Sequence, residues 1–422
     1  MALRETLDQN VQELALAPRE ERKSLAIKIL NFTWEQGLYP ASIAAVYHAL
    51  GKKEISPMTV PAFNVRGLTY PLARAIWRTA IHQQCGPIIF ELAPSESTGC
   101  DQTFEEYAAM VMAAAYKEGY RGPVFLQGDH FSLDSKDDML RVEELALSII
   151  ETGFYQIDID GSHLYDDQAD DLAGFHAPNA KITADLIDTL RCAQPRNIHI
   201  ALGGEVGEIG GKNTSMEDLL AFHSELKKNL PSNMPGLDKI SGQTGTTHSG
   251  IVLPDGSTGR MQVDFDLISN LSAQAREFGW SGLVQHGAST LQIDDLAQLP
   301  DAGVIEVHLA TQIQNILFDH PAFPQDLRKQ MIAELTATTH GAEGDKLDTS
   351  TELSEAQRFY QARWAAWGLY KTELWQLPTQ VLDPICDSLA QWVTEIFTAL
   401  KVENRQQLLR DYYPAGVKNE KS

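Results

Sequence analysis

The sequence has little positive charge. Its 422 residues include 34 Lys and Arg against 57 Asp and Glu, which gives a formal net charge of −23. Such a surface repels phosphate backbones and anionic lipids, so we expect neither nucleic acid nor a membrane surface as a partner. The sequence also lacks any run of ~18 uncharged apolar residues, the length needed for a membrane-spanning helix, so none is predicted.

Cysteine is scarce as well. The four cysteines, none in a CxxC pair, are Cys85, Cys100, Cys192 and Cys386. This usage is typical of reduced thiols rather than of a disulfide framework. The first nine residues are polar and lack the apolar segment of a secretory signal. We therefore expect a cytoplasmic protein.

An apolar fraction of 43% is enough for a large core. Residues 1–57 read as a helical extension, residues 58–322 as alternating short β-rich runs and amphipathic helices, and residues 323–422 as helices again. The eight predicted strands are 60–65, 87–92, 123–127, 155–160, 198–203, 239–244, 282–285 and 304–309. Eight strands separated by crossover helices predict an α/β fold, a (β/α)₈ TIM barrel with N-terminal and C-terminal helical extensions.

A doubly wound open sheet is the alternative fold. It usually carries a glycine-rich fingerprint after its first strand. Here that place holds Phe-Asn-Val-Arg-Gly at residues 63–67, which favours the barrel.

The C-terminal region is rich in tryptophan. Four of the seven tryptophans lie within it, at Trp364, Trp367, Trp375 and Trp392. Aromatic side chains at this density bury against something, which is either the barrel or a second subunit. We expect a homo-oligomer, a dimer or larger.

Acids and imidazoles recur where the predicted strands end. The residues at these ends are Asp129, His130, Asp158, Asp160, His163, Glu205, His248, His286 and His308. Strand ends of a barrel converge at its C-terminal face, where active sites lie. His130, His248 and His286 can therefore share one divalent cation, and three imidazoles with an optional carboxylate suit Zn²⁺, although another divalent metal remains possible.

Small residues near these ends favour an anionic ligand. Gly287 and Ser289 directly follow a candidate ligand, and a glycine-rich loop spans 203–211. Exposed backbone N–H groups and a hydroxyl can hold a phosphate or carboxylate, although a plain turn is the other interpretation of such glycines. Arg66 and Arg260 are further candidates to hold an anion.

Six ordered motifs resemble the class II, metal-dependent ketose-bisphosphate aldolases, over roughly residues 58–320. They are the segments 61–65 (PAFNV), 129–130 (DH), 159–163 (IDGSH), 204–211 (GEVGEIGG), 247–248 (TH) and 286–287 (HG). The resemblance implies His130, Glu205, His248 and His286 as metal ligands and Asp129 as the catalytic acid/base. The predicted substrate contacts are Asn64, Asp160, Gly211, Ser249, Gly287, Ser289, His308 and Thr311.

The sequence departs from the family at several positions. Asn213 stands where the family has a loop Glu that deprotonates substrate, and Glu208, Glu217 or Asp218 can replace it. A family Lys becomes Leu253, the strand-eight Asn-x-Asp-Thr-Asp becomes residues 308–312 (HLATQ), and a Ser becomes Ala93. These changes thin the contacts to a phosphate.

The resemblance implies a lyase of carbohydrate metabolism, such as glycolysis. We expect reversible aldol cleavage of a ketose, phosphorylated or otherwise anionic, to a dihydroxyacetone-type fragment and an aldehyde. Two alternatives stay open: a non-catalytic aldolase-like subunit, which the missing loop Glu favours, and a barrel metallohydrolase, which the motif order fits poorly.

Overall fold

The core of this computed structural model is a closed barrel of parallel strands. The structure describes residues 5–207, 211–247, 250–335 and 353–414. The strands are β1 (Leu38–Pro40), β2 (Val60–Phe63), β3 (Ile89–Leu92), β4 (Gly122–Ser132), β5 (Phe154–Asp160), β6 (Ala201–Val206), β7 (Lys239–Gly242), β8 (Ile251–Val252), β9 (Thr258–Gly259), β10 (Leu283–Gln285) and β11 (Val304–Leu309). Strands β2 to β7, β10 and β11 pair in chain order, and β11 pairs with β2, so the predicted TIM barrel is confirmed.

Helices connect the barrel strands on the outside. The crossover helices are α4 (Thr69–His82), α5 (Pro94–Gly99), α6 (Phe104–Lys117), α7 (Met139–Ile150), α8 (Leu172–Ala193), α9 (Met216–Asn229), α10 (Phe265–Glu277), α11 (Ile293–Leu296) and α12 (Thr311–Phe318). They follow α1 (Leu7–Leu16), α2 (Arg19–Glu35) and α3 (Ala44–Gly51). In the part of the chain that is described, no helix is long and apolar enough to cross a membrane.

Apolar strand sequences explain why the barrel closes. Strand β2 (VPAF) and strand β5 (FYQIDID) are buried at every position. A parallel strand covered on both faces needs such a continuous run, because one face meets the helices and the other meets the barrel interior.

Two strands differ from their predicted bounds. The fifth barrel strand, predicted at 198–203, is Ala201–Val206, so Glu205 lies in the strand instead of after it. The third, predicted to end at Gln127, continues to Ser132. The two-stranded β8–β9 sheet and strand β1, which pairs with β4 outside the barrel, were not predicted.

Helix α3 closes the N-terminal end of the barrel. The Tyr47 side chain is fully buried, and its hydroxyl donates to Glu306 of β11. At the turn before α3, the Ile43 N–H donates to Gln156 of β5 at 3.0 Å. The predicted N-terminal extension therefore reaches into the barrel interior.

The C-terminal helices cover the side of the barrel. They are α13 (Gln325–Leu335), α14 (Glu355–Ala362), α15 (Ala366–Leu369), α16 (Lys371–Trp375), α17 (Thr379–Ala399) and α18 (Gln406–Tyr412). Rings of Trp392 and Phe397 in α17 lie 6.4 and 5.9 Å from the Phe63 ring in β2. The buried Trp367 indole donates to Gln314 at 2.9 Å. Of the two surfaces expected to cover the tryptophans, the barrel is the one that these contacts identify.

Candidate metal-binding active site

A group of buried acids and imidazoles lies at the carboxyl ends of the barrel strands. Its members are Glu91 (β3), Asp129 and His130 (β4), Asp160 (β5), Glu205 (β6), His286 (after β10) and His308 (β11). All except His130 are less than 9% exposed. The convergence predicted from strand order is present among the described residues.

His130 reaches this group through a distortion of β4. The pairing of β4 with β5 shifts register between Gly128 and Phe131, and His130 has a φ of 44°. A non-glycine residue in this left-handed region costs about 1–3 kcal/mol and persists only where surrounding contacts enforce it. Bulges of this kind commonly aim side chains at functional sites. The result places His130 Nδ1 3.4 Å from Glu205 Oε2 and 3.6 Å from Asp160 Oδ2.

Three of the four predicted metal ligands approach one another. Ligand atoms of Asp129, His130 and His286 lie within 4.8 Å of each other, and the two imidazole rings are 4.5 Å apart. Glu205 joins on the other side of His130, in a second group with Asp160. The fourth predicted ligand, His248, lies outside the described residues, as does Ser249.

The electrostatics of the group favour a bound cation. Burial, with repulsion from Asp160, raises the pKa of Glu205 to about 7. Burial alone would lower the pKa of His130, but Asp129 and Glu205 outweigh it and raise that pKa well above its usual range. Crowded buried carboxylates need a positive charge between them. Two imidazoles and a carboxylate are a donor set that Zn²⁺ accepts, so the residues fit a divalent metal.

Asp129 is held by a second imidazole. His308 Nδ1 lies 3.1 Å from Asp129 Oδ1 and 3.2 Å from Glu91 Oε2. Burial would raise the pKa of Asp129, but the charges of His130 and His308 hold it well below its usual range. His308, predicted as a substrate contact, therefore also orients the predicted acid/base.

A charged network continues from His308 into the barrel. His308 Nε2 lies 2.6 Å from Glu306 Oε1, and Lys239 Nζ lies 2.6 Å from the same oxygen. Lys239 also contacts Asp158 at 2.9 Å and Gln127 at 2.9 Å. Burial opposes ionisation of Glu306, but Lys239 and His308 lower its pKa to about 2. These contacts fix the His308 ring from below.

The predicted site residue Asn64 belongs to a buried polar group beside the strand ends. Its amide donates to Glu96 Oε2 at 2.5 Å, and Arg66 pairs with Glu96 Oε1 at 2.5 Å. Ala93 N–H donates to the same carboxylate at 2.9 Å. Asn64, Arg66 and Ala93 thus form one unit through Glu96, which sequence analysis did not identify.

The remaining predicted substrate contacts lie on several loops. Gly287 has a φ of 66°, and a Cβ there would lie 2.5 Å from the Thr247 carbonyl oxygen, so only glycine fits. Ser289 is buried, and its Oγ accepts from the Gln312 N–H at 3.3 Å. Thr311 begins α12, next to this turn.

Other sequence candidates lie further out. Gly211 is exposed. His163 lies 2.8 Å from Asp134, with 39% of its side chain exposed, and Arg260 pairs with Asp295 while 70% exposed. The structure brings none of these three into contact with the acid–imidazole group through any interaction among the described residues.

The candidate replacements for the loop Glu differ in position. Glu208 lies outside the described residues. Asp218 caps α9, because its Oδ2 accepts from Ser215 N–H and Oγ at 2.9 and 2.6 Å, and its Oδ1 lies 3.1 Å from His176. Glu217 neighbours that cap in the first turn of α9.

Sequence analysis missed Glu91, Lys239 and Glu306. Each is a charged residue inside an apolar strand, in IFEL, KISG and VIEVHL respectively. Charged residues are almost never fully buried unless they are paired. A charge within a fully buried strand was therefore the available signal.

Comparison with known proteins gives a family match. A family model described as "Fructose-bisphosphate aldolase class-II" matches residues 46–404, a wider range than the six motifs span.

Solved structures share the fold. The chain resembles fructuronate-tagaturonate epimerase UxaE from Cohnella laeviribosi (TM-score 0.60, 13% identity, covering 91% of this chain and 86% of that one). It also resembles the fructose-bisphosphate aldolase of Campylobacter jejuni (TM-score 0.52, 16% identity, 87% and 97%). A third match is the YdjI aldolase from Escherichia coli K12 (TM-score 0.51, 14% identity, 87% and 100%). At these identities the likeness concerns the fold alone.

Proposed function

The chain belongs to the class II fructose-bisphosphate aldolase family, and from that premise we propose that it catalyses metal-dependent, reversible aldol cleavage of a ketose. The products are a dihydroxyacetone-type fragment and an aldehyde. The observation that carries the proposal is the approach of His130, His286 and Glu205 beside Asp129 at the strand ends.

The metal would be held by His130, Glu205 and His286, with His248 as the fourth predicted ligand. A bound Zn²⁺, or another divalent ion, supplies Lewis-acid polarisation of the ketose carbonyl. The family is metal-dependent, and the donor set described above supports zinc as the first choice.

Asp129 is the proposed proton carrier. In cleavage its carboxylate takes the proton of the hydroxyl on the carbon that becomes the aldehyde, and in synthesis it returns that proton. Burial to 5% exposure keeps water from competing, and the contact to His308 fixes one carboxylate oxygen. Asp160 is anchored by Ser132 and Ser162, which donate to it at 2.7 Å each, so it can orient a substrate hydroxyl beside His130.

An anionic group on the ketose fits the other side of the site. The Gly287 turn and the Ser289 hydroxyl offer donors next to a ligand, and the buried Arg66 lies behind Asn64. We propose a ketose phosphate or a related anionic ketose as substrate.

The test is a cleavage assay on metal-loaded protein. A panel of ketoses, phosphorylated, carboxylated and neutral, is scored by aldehyde release with a coupled reductase. We expect release from an anionic ketose that disappears after chelation and returns with Zn²⁺.

Two variants assign the roles. Asp129→Asn should keep its metal and lose about 10²–10⁴-fold in turnover, the usual contribution of a positioned acid/base. His130→Asn should lose both metal and turnover. Bound metal with no cleavage of any ketose by the unaltered protein would instead support the non-catalytic subunit.

Epimerisation of a ketose is the second candidate. It is favoured by a second acid/base pair, His308 with Glu91, beside Asp129, because inversion at carbon requires proton transfer on two faces. The same assay separates the two reactions: an epimerase converts the ketose without aldehyde release, and nuclear magnetic resonance detects the new isomer.

We also propose that the protein works in the cytoplasm as a homo-oligomer. Light scattering coupled to size exclusion should give at least twice the chain mass of 46.7 kDa. A single-chain mass at working concentration would contradict the oligomer.

A further inference from the structure

A second group of metal-type ligands lies at the opposite end of the barrel. Asp238 directly precedes β7, and His199 lies two residues before β6, so both stand at the amino ends of neighbouring strands. His48 comes from α3, the helix that closes this end. We propose that His48, His199 and Asp238 bind a second divalent transition-metal ion, such as Zn²⁺, which clamps α3 to the barrel.

The geometry directs both imidazoles at one oxygen. His48 Nε2 and His199 Nε2 each lie 2.8 Å from Asp238 Oδ1, and the two rings are 5.6 Å apart. All three ligand atoms lie within 4.8 Å of one another. Three separate segments of the chain therefore present nitrogen, nitrogen and oxygen donors to one point.

The carboxylate is already fixed for this task. Asp238 Oδ2 accepts from the Leu202 N–H at 2.9 Å and from Arg191 at 3.1 Å, and its side chain is 3% exposed. Oδ1 is the oxygen that remains for the imidazoles. A ligand whose second oxygen is hydrogen-bonded in this way is oriented before the metal arrives.

Only a small movement is needed to admit the ion. Zinc–nitrogen and zinc–oxygen bonds of about 2.0–2.2 Å at tetrahedral angles separate the ligand atoms by about 3.4 Å. The imidazoles would move outward by roughly half an ångström from their present 2.8 Å. Their side chains are 44% and 33% exposed, so they have room to move and leave a position for water.

Arg191 sets the relative strength of the site. Its guanidinium neutralises part of the Asp238 charge from the other side. Coulomb repulsion between Arg191 and the metal makes this the weaker of the two metal sites. We therefore expect chelators to empty it first.

The clamp acts on a residue next to a ligand. Tyr47, adjacent to His48, carries the hydroxyl that reaches Glu306 inside the barrel. A ligand that binds only the folded chain stabilises it by mass action. Metal at His48 should therefore raise the unfolding temperature of the protein without taking part in the reaction.

The test measures Zn²⁺ stoichiometry on metal-free protein by titration calorimetry. The unaltered protein should bind two equivalents, and His130→Asn/His286→Asn should retain one. Adding His48→Asn and His199→Asn to that variant should remove the remaining equivalent. A matched control, His82→Asn at the exposed end of α4, should leave the stoichiometry unchanged.

A second readout does not depend on the stoichiometry. In the His130→Asn/His286→Asn background, Zn²⁺ should raise the unfolding temperature, and His199→Gln alone should abolish that rise. If His48→Asn/His199→Asn protein with a native circular dichroism spectrum still binds two equivalents, or if the rise survives His199→Gln, the proposal is overturned.

Discussion

Replacing Lys239 with Met would remove the only cation that Glu306 meets from below. Lys239 and Glu306 are both 0% exposed, and their charged atoms are 2.6 Å apart. Breaking a buried pair by deleting one partner typically destabilises a protein by about 3–5 kcal/mol. Met keeps most of the Lys volume, so the change isolates the charge.

Protonation limits the size of this loss. A Glu with an ordinary pKa of about 4.3 can be neutralised at pH 7 at a cost of about 3.7 kcal/mol, or 2.7 pH units at 1.36 kcal/mol each. Glu306 keeps its contacts to His308 and Tyr47 in the variant. We therefore expect Lys239→Met to lose about 3–4 kcal/mol at pH 7.

The pH dependence distinguishes this mechanism from a packing defect. In the variant the folded chain holds a proton on Glu306 that the unfolded chain releases, so stability falls as pH rises. Between pH 7 and pH 5.5 the loss should shrink by about 2 kcal/mol. In the unaltered protein Glu306 has a pKa of about 2 and takes up no proton in this range.

The assay is urea unfolding followed by circular dichroism at both pH values. Lys239→Met/Glu306→Gln provides the control, because a neutral pair leaves no buried charge, and it should recover most of the stability. A loss that is the same at pH 7 and pH 5.5, or a double variant no more stable than the single one, would refute the reasoning.

Three further outcomes follow from other contacts. Gly67→Ala should lower stability by more than about 1 kcal/mol, since φ is +75° and the new Cβ would lie 2.3 Å from the Trp367 ring; urea midpoints check this. Asp101→Asn should matter by about 1 kcal/mol or less at pH 6 and not at pH 3, measured by unfolding at both values. Burial would raise the pKa of Asp101, but the Arg22 hydrogen bond lowers it, so its contribution is lost as pH falls through that pKa. Tyr47→Phe should lose about 1.5–3 kcal/mol, because a charged acceptor loses its hydroxyl donor; melting temperature and urea midpoint report it.

The barrel was predictable because its signal is local. Each buried parallel strand needs a short apolar run, and each crossover needs an amphipathic helix, so all eight strands can be found from sequence. The ends of those strands then follow from the fold, and with them the approach of His130, Glu205 and His286.

Strand β6 shows where local signals mislead. Gly203 and Gly204 read as the start of a loop, since glycine disfavours strands. They lie inside β6 because a Cβ at Gly203 would be 2.1 Å from Asp158 Oδ1 and one at Gly204 would be 2.6 Å from Leu237. Contacts with distant residues, which the sequence does not display, decided the strand bounds.

The His130 bulge and strand β1 were beyond the sequence for the same reason. The positive φ of His130 is enforced by pairing with β5, and a three-residue strand at 38–40 exists only because β4 lies beside it at residues 122–124. Three residues carry too little pattern to predict a strand without its partner.

The buried charges argue that the N-terminal helix belongs to the working barrel. From α3, Tyr47 contacts Glu306, Glu306 contacts His308, and His308 contacts Asp129 beside His130. Each contact fixes the next because a buried charge keeps few alternative arrangements with comparable energy. A shift of α3 would therefore change the setting of the proposed acid/base without any direct contact. The family match, which begins at residue 46 and so includes Tyr47, agrees with that assignment.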